Sequence, residues 1–243
     1  MTRNFIYAFL LLFLFAAAKL QAQTKPDSNL TETERSAVSL YNKSVGDRLG
    51  LYRGPAVVPY ALRSNGTPNF RDTLDYFEDG TVNYDNRMYY HVPLIYNTER
   101  DMLQSRVNNG AAYTLLSDRV VYFDLLGRHF IRVNTGANDK NMTAGFYEIL
   151  YNGKVQILAR HTKIMQTQTS GRTAMATFSP QTTYFLKRGA IYSNVDSKSK
   201  FLNALSDKKK ELQQYIKDNR LDFSENPVRS MDVLAAYYDR LTN

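Results

Sequence analysis

From Leu51 to about Val195 the chain runs in short stretches where apolar and polar residues alternate, with turn residues roughly every ten positions. A period of two puts successive side chains on opposite faces of a strand, so this stretch predicts an antiparallel β-domain. The plainest unit is Phe146–Tyr151, then Asn152-Gly153, then Lys154–Arg160. Asn-Gly is the pair that a type I′ hairpin turn asks for. On its second strand Val155, Ile157 and Ala159 are expected inside, with Lys154, Gln156, Leu158 and Arg160 on a mostly wet face. A second hairpin is expected at Gly80–Tyr84 and Met88–Val92 across Asp85-Asn86, and a third at Thr183–Leu186 and Ala190–Tyr192 across Lys187-Arg188-Gly189. Pro93 interrupts the run before Leu94-Ile95-Tyr96 and marks an edge, a bulge or a strand start. Met102–Ser105, Ala112–Leu116, Val120–Phe123 and His129–Val133 extend the meander, with sequential strands as the favoured neighbours.

The period changes to helical at both ends. Thr31 to Asp47 carries Val38, Tyr41 and Val45 behind threonines and glutamates suited to a helix start, and Gly46 to Gly50 stops it. From Asp196 onward Leu202, Leu205, Leu212 and Ile216 fall near one face, with Asn219 as the stop. Asn226-Pro227 opens a further helix, an N-cap followed by proline at the first helical position, with Met231, Leu234, Tyr238 and Leu241 as its apolar stripe. The expected fold class is therefore α+β: an antiparallel β-meander, curled into a half-barrel or a sandwich, with an N-terminal helix and two C-terminal helices packed on it.

The first residues follow another pattern. A charged start at Arg3, an apolar run from Phe5 to Ala18 and the small Ala22 read as a secretory signal peptide, too short to cross a bilayer as a helix. Cleavage is expected after Ala22, with Ala18 as the alternative. The organisation is thus 1–22 signal peptide, 23–50 leader and helix, 51–195 β-domain and 196–243 helical segment, an exported chain that is periplasmic, outer-membrane-associated or secreted and not an integral membrane protein. Cysteine is absent, which excludes disulfides, thiolate metal sites, a cysteine nucleophile and a lipidated cysteine. Losing Arg3 and Lys19 lowers the formal charge from +8 to +6, still basic. The basic residues Lys198, Lys200, Lys208, Lys209, Lys210, Lys217 and Arg220 alternate with Asp207, Glu211 and Asp218, as on a solvated helix face rather than a nucleic-acid groove. Eighteen Tyr and thirteen Phe without Trp suit a sheet more than a sugar-stacking platform.

Four phrases go together: Gly80-Thr-Val-Asn-Tyr84, His91-Val-Pro-Leu-Ile-Tyr96, Phe146 to Val155, and Asp207-Lys-Lys-Lys-Glu-Leu-Gln-Gln-Tyr-Ile216. With them the stretch from about Leu51 to Leu241 resembles a group of exported proteins of Bacteroidota-type bacteria for which no activity, cofactor or catalytic residue is established. The resemblance implies a Gram-negative envelope or extracellular setting and nothing chemical.

Motifs with chemistry are scarce. There is no Gly-x-Ser-x-Gly elbow and no phosphate-cradling glycine loop, and His91, His129 and His161 sit singly in expected strands. Lone strand histidines serve structure or surface more often than ligation. Asp72, Asp75, Glu78 and Asp79 could offer oxygens to calcium but lack the alternation of an EF-hand loop, so a solvated loop is the expectation. No catalytic, cofactor-binding or metal-ligating residue is assigned, and no cofactor. The expected function is a non-enzymatic domain that binds a lipid, a small ligand or an envelope protein. The alternative is a hydrolase acting on envelope or polysaccharide material. An apolar pocket on a curved sheet favours binding, and histidines converging with acids in a polar cleft favour catalysis.

Overall fold

The computed structural model describes residues 31–34, 36–37, 50–72, 76–107, 110–134, 142–170 and 173–242. The signal peptide and most of the expected 31–47 helix, including Val38, Tyr41 and Val45, lie outside them. The chain divides into two units, Met1–Asp47 and Arg48–Asn243. Of the first unit, residues 32–34 and 36–37 are helical. Thr31 starts that turn with a reciprocal capping box: its N–H donates to Glu34 Oε2 at 2.8 Å, and the Glu34 N–H donates to Thr31 Oγ1 at 3.4 Å.

The second unit is an α+β fold built on one large sheet. In chain order its strands are β1 Arg63–Asn65, β2 Glu78–Tyr84, β3 Arg87–Asn97, β4 Met102–Arg106, β5 Ala112–Thr114, β6 Val120–Leu125, β7 Arg128–Val133, β8 Gly145–Asn152, β9 Val155–Ser170, β10 Thr173–Arg188 and β11 Ile191–Asn194. The spatial order is β1-β10-β9-β8-β7-β6-β2-β3-β4-β5, with β11 also on β10. Two meanders, β2 to β5 and β6 to β11, are therefore joined where β2 pairs with β6. That junction is a long-range pairing, and only β1 runs parallel to its neighbour.

Backbone bonds force this sheet to curl. Val57 N–H donates to Ala112 O, and Thr114 N–H to Pro55 O, at one end of the strand order, while Arg63–Asn65 pairs with Met175–Thr177 at the other. A flat sheet of ten strands would hold its end strands roughly 43 Å apart. The six residues from Val57 to Arg63 reach at most about 21 Å. The 55–65 segment is thus an arch joining the two ends of a half-barrel. Aromatic contacts agree: Tyr96 of β3 meets Phe146 of β8 at 5.8 Å between ring centroids, although β2, β6 and β7 lie between them in the sheet. Tyr96, Phe123, Phe130 and Phe146 form the centre of this core, with Leu94, Leu103 and Val82 around them.

The turns differ from the expected chemistry at one place. Asp85 and Asn86 both have positive φ, 52° and 61°, which marks the type I′ turn, and Leu126-Gly127 does the same at 55° and 71°. The hairpin at Asn152-Gly153 exists, but neither residue is in the left-handed region, so its turn is not type I′. A tertiary contact decides this. Asp239 Oδ2 accepts from Tyr151 Oη and from Lys154 N–H, each at 2.8 Å, and sits where a Cβ on Gly153 would fall. Burial and Asp239 together push the Tyr151 phenol up to about 12. Gly153→Ala is expected to lose about 1–2 kcal/mol by overpacking this joint. Because the loss should shrink in an Asp239→Ala background, where only the Tyr151 ring still crowds the added methyl, a double-mutant cycle in urea checks it.

Pro93 does not end a strand. Among the alternatives, the bulge is realised: the β2–β3 register shifts between Gly80 and Val82, His91 takes φ 53°, and β3 continues through Pro93 opposite Asp79. The face expected to be wet on β9 is also corrected. Leu158 is wholly buried, because Met142, Tyr147, Val133 and Phe185 form a second core against it.

The C-terminal segment has three helices rather than two, α1 Lys198–Ala204, α2 Lys209–Asp218 and α3 Pro227–Leu241, with a 3-10 turn at Ser206–Lys208 between the first pair. Asn226 caps α3 by accepting from Arg229 N–H at 3.1 Å, and Asn219 ends α2, as the pattern expects. Leu202, Leu205, Leu212, Ile216, Met231 and Leu234 bury themselves against Val155, Ile157 and Leu186. The helices thus cover one face of β8 to β10. Lys198, Lys200, Lys210, Lys217 and Arg220 remain exposed, and no helix among the described residues is long and apolar enough to cross a membrane.

Candidate ligand-binding site

The arch does more than join the ends of the sheet, because it stands clear of the strands it crosses. Leu94 and Tyr96 of β3 and Leu103 of β4 point into the aromatic core. Strand alternation sends Ile95 and Asn97 to the other face, and the register places Gln104 directly opposite Ile95 on that same face. Val57, Val58, Pro59 and Leu62 of the arch roof this surface, and Phe77, Ala112 and Phe178 wall it. The half-open space between them is ≈ 550 Å³. That lies in the range of small-molecule sites, as does an apolar wall with few polar groups.

Tyr60 pins the roof. Its hydroxyl donates to Glu99 Oε2 and accepts from Asn97 Nδ2 at 3.3 Å, and its ring packs edge-on against Phe178 at 5.4 Å. Burial, then the bond to Glu99, pushes the phenol up to about 12, so Tyr60 stays protonated and keeps donating. The Arg100 guanidinium lies 4.1 Å over the same ring and donates to Val58 O at 3.3 Å. Asn97 is largely engaged within the protein, since its Oδ1 also accepts the N–H groups of Glu99 and Arg100.

Gln104 is different. It is 7% exposed, it lines the cavity, and its amide makes no hydrogen bond among the described residues. The amide opens onto the cavity, so this donor–acceptor pair is available to an occupant. The sequence offers no signal for it, because a glutamine between Leu103 and Ser105 reads as the solvent side of a strand.

The residues singled out in the sequence for chemistry go elsewhere. Each histidine pairs with its own carboxylate: His91 Nδ1 with Asp79 at 3.0 Å, His129 Nδ1 with Asp124 at 2.6 Å and His161 Nε2 with Glu148 at 2.6 Å. Asp79, His91 and Asp124 do meet in a polar cleft of ≈ 190 Å³ with Thr81 and Tyr90. The side chains of His91 and Asp79 are 82% and 68% exposed, so water screens the pair. The acidic run is dispersed: Asp72 binds Lys163, Glu78 binds Arg71, Asp79 binds His91, and Asp75 lies outside the described residues. No group of three potential ligands is arranged to hold a metal ion among the described residues.

Two buried polar clusters are structural. Glu148 accepts from one guanidinium nitrogen of Arg128 at 2.8 and 3.0 Å and from His161, whose other nitrogen meets Thr182 Oγ1 at 3.2 Å. Phe70 packs on His161 at 4.9 Å, so both ring nitrogens and the ring face are used up inside the sheet. Asp101, at φ 54°, accepts from Tyr96 Oη at 2.8 Å, from Phe146 N–H at 3.3 Å and from Arg160 at 3.3 Å, fastening β8 to the β3–β4 turn. Comparison with family models, with curated proteins and with solved structures finds no match to this chain.

Proposed function

We propose that this chain is an exported, non-enzymatic binding domain of the cell envelope or its surroundings, whose ligand occupies the space beneath the 55–65 arch. The observation that carries the reading is the joining of an apolar ≈ 550 Å³ cavity with the amide of Gln104, which opens onto it and makes no hydrogen bond among the described residues. Apolar walls supply the affinity and one placed polar group fixes orientation. Export is supported by the charged start, apolar run and small residue of 1–22. The second reading, a hydrolase, would use the Asp79, His91 and Asp124 cleft; its exposed pairs and small volume favour it less.

The test uses N-phenylnaphthylamine, a neutral probe that fluoresces when it leaves water. Saturable binding at one site is expected for the native chain. Ala112→Phe, from the wall, and Val58→Trp, from the roof, should each abolish it while leaving the circular dichroism spectrum unchanged. Absence of saturable binding to the native chain, or its survival in both well-folded variants, defeats the reading.

A further inference from the structure

We infer that the occupant of the arch cavity is an anionic amphiphile, an apolar body carrying a carboxylate or phosphate head, with Arg63 as the residue that selects its charge. The inference rests on the binding reading above and adds the chemical class. Arg63 lines the cavity, where β1 leaves the arch. No carboxylate pairs with it among the described residues. No aspartate or glutamate among the described residues lines the cavity. The acid behind the roof, Glu99, is already taken by Tyr60 and by Arg100 at 3.6 Å.

Two further guanidinium groups stand against the aromatic walls. Arg100 lies 4.1 Å over the ring of Tyr60, and Arg106 lies 4.8 Å over the ring of Phe77. Tyr60 and Phe77 both face the cavity, so both charges lie behind its aromatic walls and add to a positive field there. A cationic ligand would meet Arg63 and the field of two further guanidinium groups, with no counter-charge among the described residues that line the cavity. A neutral apolar ligand would leave the exposed Arg63 to water and gain nothing from its charge. An anionic head satisfies Arg63 by a charge-assisted, geometrically matched pair, while Val57, Val58, Leu62, Ile95 and Phe178 take the apolar body.

The experiment is displacement of N-phenylnaphthylamine from the native chain by dodecanoate, dodecanol and dodecyltrimethylammonium, each below its micelle concentration. Dodecanoate is expected to displace the probe at a concentration about tenfold or more below that of dodecanol, with the cation weakest. Arg63→Gln should bring dodecanoate within about twofold of dodecanol and leave dodecanol unchanged, because only the charge-specific contact is lost. If the probe binds but the acid and the alcohol displace it equally, or if Arg63→Gln weakens both alike, the charge assignment is overturned and the binding reading stands. If the probe does not bind, both fall together.

Discussion

Phe123→Ala is expected to lower the unfolding free energy by about 3–5 kcal/mol, the largest effect of any single truncation considered in this fold. Phe123 is wholly buried on β6, stacked on Phe130 at 4.7 Å and met edge-on by Tyr96 at 5.4 Å and Phe146 at 5.2 Å. These rings come from β3, β6, β7 and β8, so removing the central one opens a void facing four strands that backbone pairing holds in place. The neighbours cannot collapse into that void without breaking the ladder, which puts the cost at the upper end of the usual range. Equilibrium denaturation in urea measures it. Phe223→Ala, from a partly buried residue touching Phe201 beside the helices, serves as the comparison and should lose less. A loss for Phe123→Ala below that of Phe223→Ala would show that the aromatic cluster is not the mechanical centre of the half-barrel.

The second prediction concerns acid. Burial alone would raise the Glu148 carboxyl, but the bonds from His161 and Arg128 outweigh it and hold the group below its ordinary 4.5. A depressed folded value means that the unfolded chain takes up the proton first as pH falls. The stabilisation is therefore complete above the unfolded value and is lost as pH drops through the folded one. Glu148→Gln should cost about 2–3 kcal/mol at neutral pH, because the carboxylate that Arg128 and His161 bind is replaced by a neutral amide. The gap between native and variant should then narrow as pH falls below the ordinary carboxylate value. Urea unfolding at a series of pH values reads both numbers, and parallel pH curves for the two proteins would refute the assignment.

How much of this was legible depends on distance along the chain. Asp85-Asn86 and Gly189 set their turns from local residues alone, and their hairpins follow from the sequence. Asn152-Gly153 carries the stronger turn signature, yet Asp239 overrides it from the other end of the chain. Leu158 reads as an isolated apolar residue on a polar face until Met142 and Tyr147 close over it. The α2 and α3 stripes were readable because helical burial repeats within a few residues. The site was not readable. Val57 to Leu62 looks like a loop after Gly54-Pro55, and Gln104 acquires meaning only when that loop passes over it. Pattern along a strand gives the face of a residue, but never what covers the face.

The arch also fixes when the cavity can exist during folding. Its two anchors lie at Ala112 and at Met175, so residues made early by the ribosome must wait for residues made long afterwards. Contacts of such sequence separation form late and slowly. Every hairpin can be in place while the ends of the sheet are still apart, and in that interval Ile95, Phe178 and the aromatic centre are open to water and to other chains. A nascent chain stopped short of β10 therefore carries the whole roof and only one of its two anchors, and its capacity to hold a ligand arrives with the last pairing.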